Sequence, residues 1–177
     1  MLSKVHRELG IPRSYEHDTG IPVYPEPDDL VSIGPDIYGR PQTLARAAAE
    51  HWGYLQTAAS KDGIELYVVS AFRSVDYQAS LIRKKLRAGQ LIEDILRTNA
   101  APGHSEHHSG RAVDLTTKGC KPLCEAFDKT PAFRWLTRNA HSHGFIMIYP
   151  RQNEWGIEYE PWHWCYRRVQ EIAAGPP

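Results

Sequence analysis

The chain has 177 residues, enough for one domain with a real hydrophobic core. Its 21 Lys and Arg balance 21 Asp and Glu, which argues against a broad electrostatic footprint for nucleic acid or an anionic membrane. No apolar run approaches the roughly 18 residues of a membrane span, and Met1 to Gly10 lack the apolar centre of a secretory signal.

Residues 1–40 are rich in Pro, Gly and Asp and carry no sustained periodicity. They are expected to form an extended N-terminal arm wrapped around a domain of residues 41–177. A helix is expected from Pro41, a good first-turn residue, to Lys61, with Gly63 as its stop. Ala48, Trp52, Leu55 and Ala59 share one face of it. The β-rich run Ile64 to Ser70 reads as a strand, and Ser74 as the cap of a helix reaching Ala88. Within that helix, the basic run Arg83-Lys84-Lys85-Leu86-Arg87 reads as a solvated face. A short helix follows over Leu91 to Thr98, then a loop rich in Gly, Pro, His and Ser. Arg111 to Thr116 alternates as a strand does, Pro131 to Ser142 reads as a helix stopped by Gly144, and strands follow at Phe145 to Tyr149 and Trp162 to Tyr166. Helices come first and strands gather late, so the expected fold is α+β with a small, mostly antiparallel sheet flanked by helices. The three cysteines are too few for a disulfide framework. Cys120 and Cys124 are expected as plain thiols, with a local disulfide as the alternative. Cys165 would share a strand face with His163.

Three local clusters carry the chemistry. They are Ser105 to Asp114, Glu160-Pro161-Trp162-His163-Trp164, and Ser70-Ala71-Phe72-Arg73-Ser74 followed by Gln78. A catalytic zinc takes three protein ligands and leaves one position open; His107, Asp114 and His163 would supply that set. Glu160, three residues before His163, is placed to act as general base on a water whose pKa the metal lowers to about 7. Arg73 would bring fixed positive charge to a developing oxyanion or clamp a substrate carboxylate. His104 and His108 flank the candidate ligand and are left out of the set, and Trp162 and Trp164 read as core or pocket wall.

Ser105-x-His107-x-x-Gly110-x-Ala112-x-Asp114 resembles, position for position, the signature of the zinc D-alanyl-D-alanine carboxypeptidases, the family of the vancomycin-resistance carboxypeptidases and dipeptidases and of L,D-carboxypeptidases. The resemblance continues through Ser70 to Ser74 with Gln78, Gly144-Phe145, Tyr149-Pro150 and Glu160-Pro161-Trp162-His163. It implies zinc on His107, Asp114 and His163, Glu160 as catalytic base and Arg73 at the oxyanion. It also implies a substrate pocket lined by Ser105, Gln78 and Tyr149, and a fold shared with the signalling domain of hedgehog proteins. Phe72 and Ile148 stand where many relatives carry Tyr and Arg. The implied activity is removal of the terminal D-alanine from a peptidoglycan stem peptide or its precursor. The alternatives are L,D-carboxypeptidase trimming of tetrapeptide stems and a non-catalytic zinc-containing binding module. As written, the chain would be soluble and cytoplasmic, acting at the envelope if exported or trimmed; oligomeric state is not legible.

Overall fold

The computed structural model describes residues 2–167. Its first forty residues are less extended than the composition suggests. They hold two short helices, α1 (Leu2–Leu9) and α2 (Tyr15–Thr19), and a strand, β1 (Leu30–Pro35). The helices form because Leu9, Ile11, Tyr15 and Ile21 are buried against the rest of the protein, and tertiary burial overrides weak local signals.

β1 pairs antiparallel with β2 (Pro41–Ala45), so the helix expected at Pro41 starts later, as α3 (Arg46–Lys61). Asp36 decides this. Its carboxylate accepts from the backbone N–H of Tyr38 (2.8 Å) and Arg40 (2.9 Å), closing a tight turn that sends residues 41–45 back along β1. The four apolar residues expected on one helix face, Ala48, Trp52, Leu55 and Ala59, are those that α3 buries. β3 (Tyr67–Ser70) is shorter than its β-rich run, while α4 (Val75–Arg87) begins at the Ser74 cap, whose Oγ accepts from Tyr77 N at 3.1 Å. Next come α5 (Ile92–Thr98), a 3₁₀ turn at Glu106–Ser109, and β4 (Ala112–Thr116). The last α-helix and strands among the described residues are α6 (Pro131–Asn139), β5 (Phe145–Met147) and β6 (His163–Tyr166).

Four strands form one sheet in the order β3-β4-β6-β5, every pair antiparallel. Strand alternation sorts the side chains. Val113 and Leu115 of β4 and Trp164 and Tyr166 of β6 enter a core with Trp52, Leu55 and Phe127. Ala112 and Cys165 face a second core with Ile82 and Ile95, beside α1 and α2. Asp114 and His163 lie on this second face and are direct cross-strand partners. Two glycines are required by close approach at positive φ: a Cβ on Gly110 (φ 64°) would sit 2.8 Å from Ala45 N, and one on Gly144 (φ 80°) 2.7 Å from the Tyr166 ring. Among the described residues, no helix is long and apolar enough to cross a membrane. Cys120, Cys124 and Cys165 are all free thiols.

Candidate metal centre and cleft

His107 comes from the 3₁₀ turn, Asp114 from β4 and His163 from β6. One nitrogen or oxygen from each lies within 4.8 Å of the others. Asp114 bridges the rings: Oδ2 is 3.2 Å from His107 Nε2 and Oδ1 is 3.0 Å from His163 Nδ1. All three side chains are buried. The far side of each ring has its own acceptor. His107 Nδ1 donates to Ala71 O at 2.6 Å, and His163 Nε2 donates to Glu106 Oε2 at 3.0 Å. A carbonyl oxygen only accepts, so the His107 proton sits on Nδ1 and the Nε2 lone pair faces Asp114. Two imidazole nitrogens and a carboxylate, converging with their outer nitrogens held, fit a divalent ion such as zinc.

Burial and neighbouring charge set the protonation of the cluster. Burial and the Arg73 charge lower His107 to about 4. For His163 burial also opposes the cation, but hydrogen bonds to Asp114 and Glu106 prevail and raise it to about 10. Burial works against the Asp114 carboxylate too, yet the two histidines hold it well below the usual range.

Glu160 Oε2 is 3.9 Å from His163 Nδ1. Burial pushes its carboxyl up to about 7, although His163 pulls the other way. Arg73 places Nη2 3.5 Å from Asp114 Oδ2 and donates from Nη1 to Gln78 Oε1 at 3.1 Å. Its buried Nε has no partner among the described residues. Gln78 is itself anchored, donating to Ala100 O at 2.8 Å. Arg73, Gln78, Ser105, Tyr149 and Glu160 line a cavity of about 30 Å³ next to the histidines. A wider groove of about 440 Å³ continues past Arg73, Asp114, Glu160 and Trp162. All eight residues singled out in the sequence therefore meet in one place. A larger cavity of about 690 Å³ lies apart from them, along α1 and residues 10–16.

Residues 41–169 match the family model described as VanY, D-alanyl-D-alanine carboxypeptidase. The chain belongs to that family. Among curated relatives, it is 32% identical over 177 residues to the Bacillus subtilis protein YodJ, an alignment covering 94% of this chain and 59% of YodJ. It is 31% identical over 130 residues to a D-alanyl-D-alanine carboxypeptidase of Enterococcus faecalis, covering 66% of this chain and 47% of that protein. The chain thus spans roughly half the length of these two relatives. Among solved structures, the LD-carboxypeptidase LdcB superposes with a TM-score of 0.73 at 33% identity, over 84% of this chain and 72% of LdcB. VanYB in complex with D-alanine-D-alanine shares the fold, with a TM-score of 0.65 at 24% identity, over 88% and 90% of the two chains.

For this VanY-family chain, sequence reasoning missed Glu106 and misread Lys85. Glu106 is fully buried behind His163 and also accepts from Arg167 Nη2; as an acidic residue in a polar loop it gave no signal before the fold was known. Lys85 is not on a wholly solvated face. It lines the groove, and burial together with the Arg73 charge lowers its pKa. His104 and His108 stay outside the centre, donating from Nδ1 to the carbonyls of Ile21 (2.9 Å) and Arg73 (2.7 Å).

Proposed function

We propose that this chain is a zinc metallo-carboxypeptidase that removes the C-terminal D-alanine of a peptidoglycan stem peptide or its precursor. The observation that carries this is the convergence of His107, Asp114 and His163 with Glu160 and Arg73 at the head of one groove. His107 Nε2, an Asp114 oxygen and His163 Nδ1 would hold zinc, which when bound supplies a Lewis acid and acidifies water. Glu160 takes the proton of the attacking water on its carboxylate and returns it to the leaving amine, a role suited to a carboxyl near neutrality. Arg73, which lines both the small cavity and the groove, carries charge for the oxyanion. Ser105, Gln78 and Tyr149 shape the small cavity that takes the terminal residue. Residues 41–177 act as the catalytic domain and residues 1–40 as an arm packed on it.

A second reading, trimming of tetrapeptide stems at an L,D bond, is favoured by one comparison. LdcB is closer in both identity and superposition than VanYB. Mass spectrometry of pentapeptide and tetrapeptide muropeptides, each with and without a zinc chelator, decides between them. Chelator-sensitive loss of one alanine from the pentapeptide supports the first reading, and from the tetrapeptide alone the second. A zinc-loaded protein inert on both would leave a binding module.

A further inference from the structure

Glu106 is among the least accessible charged groups in the protein, at 1% exposure. Burying a carboxylate is costly unless it is paired, and core packing gives no reason for one here. Its partners show its use. Oε2 accepts from His163 Nε2 at 3.0 Å, while Oε1 accepts from Arg167 Nη2 at 2.5 Å and receives a long contact of 3.5 Å from the Tyr24 hydroxyl. With Nε2 committed to Glu106, the Nδ1 edge of the ring is the one turned to Asp114 and Glu160.

Tyr24 belongs to the N-terminal arm, ahead of the stretch that matches the family. The arm also grips the loop that leads into Glu106. Tyr24 N donates to Gly103 O at 2.8 Å, and Ala101 N donates to the Tyr15 hydroxyl at 3.2 Å. His104 Nδ1 donates to Ile21 O at 2.9 Å, and His6 Nε2 to Pro102 O at 2.7 Å. From that loop the hold passes inward. Gly103 N donates to His108 Nε2 at 3.1 Å, and His108 Nδ1 donates to the carbonyl of Arg73 at 2.7 Å.

We infer that Glu106 is a positioning residue for the metal centre, and that the N-terminal arm is its outer support, holding Glu106 and its loop in place behind His163. This rests on the reading of His107, Asp114 and His163 as zinc ligands. A carboxylate on the outer nitrogen fixes the ring and raises the basicity of the ligating nitrogen, and losing such a partner costs about 10–100-fold in metal affinity.

The test is zinc affinity, measured by competition with a chromophoric chelator, together with the visible spectrum of the cobalt-substituted protein. Glu106→Ala should bind zinc ~10–100-fold more weakly and alter the cobalt spectrum. Glu106→Gln, which keeps an acceptor without the charge, should recover part of the loss. Tyr24→Phe, a near-isosteric change, should weaken zinc in the same direction by less. Leu136→Ala, a truncation in the other core, controls for general destabilisation and should leave affinity and spectrum unchanged. Glu106→Gln and Tyr24→Phe both binding as wild type would overturn the inference, even if Glu106→Ala failed to fold. A wild-type protein that takes no zinc would overturn the ligand reading and this inference with it. Tight, Glu106-dependent zinc without hydrolysis of stem peptides would overturn only the proposed activity.

Discussion

Glu160 and Arg73 share the cleft but differ in what their replacement should do. Glu160 lies 3.9 Å from the His163 ring and outside the three-residue ligand set, so Glu160→Gln should keep one zinc per chain by elemental analysis. Turnover should fall by ~10²–10⁴, the usual worth of a positioned base. Turnover within a few-fold of wild type, or loss of the metal, would refute the assignment. Arg73 spans two partners, Asp114 and Gln78. Arg73→Ala should lower kcat by ~10²–10³, as loss of an oxyanion donor does. Arg73→Lys should recover little, because an ammonium restores the charge without the planar fork. A lysine variant near wild type in kcat would mean that charge alone suffices there.

At the scale of elements, the β1-β2 hairpin is a splint for the segment that carries Arg73. Arg40 Nη2 donates to Val69 O at 3.1 Å, Ala71 N donates to Gln42 Oε1 at 2.9 Å, and Phe72 N to Thr43 O at 3.0 Å. Asp36 holds the splint itself through Arg40 Nε (2.6 Å) and Gln42 Nε2 (3.0 Å). Asp36→Asn should cost about 1.5–3 kcal/mol in denaturant unfolding, the range for hydrogen bonds to a charged group. Burial opposes the Asp36 charge, but the backbone N–H groups of Arg40 and Tyr38 and the Arg40 guanidinium prevail and depress its pKa. The charge-linked part of its stabilisation is therefore complete above about pH 4 and is lost as pH falls through the lower folded-state value. The gap between wild type and Asp36→Asn should narrow in that acid window; a gap independent of pH would count against the charge. This hairpin was illegible in the sequence, since Pro41 opens a strand as readily as a helix and the Asp36 turn depends on a side chain closing on its own backbone. Elements with a repeating signal were legible, as in the apolar face of α3 and the Ser74 cap of α4. So was the set of candidate site residues that the fold brings together, because motif spacing survives without a fold. Glu106 and the two N-terminal helices were not, because their roles depend on partners roughly 60 to 100 positions away along the chain.

The whole molecule joins three segments at the metal centre, yet its two cores are apolar and complete without an ion. Charges around the centre also contact one another. His163 sits between Asp114 and Glu106, Arg73 against Asp114, and Arg167 against Glu106. Because the two cores include none of the candidate ligands, the chain is expected to keep its fold when the metal is removed, unlike domains that fold only around their ion. Zinc that binds only the folded state adds about 4 kcal/mol when free metal is a thousandfold above its dissociation constant. In a chain of this length each kcal/mol moves the melting temperature by about 2–4 °C, so zinc should raise it by ~8–16 °C. Calorimetry of the chelated protein should still show one cooperative transition at the lower temperature, with the far-UV circular dichroism of the loaded form. Loss of that transition on chelation would mean that the ion, rather than the β4-β6 pairing, brings Asp114 and His163 together. An unchanged melting temperature in excess zinc would mean that the three residues do not hold it.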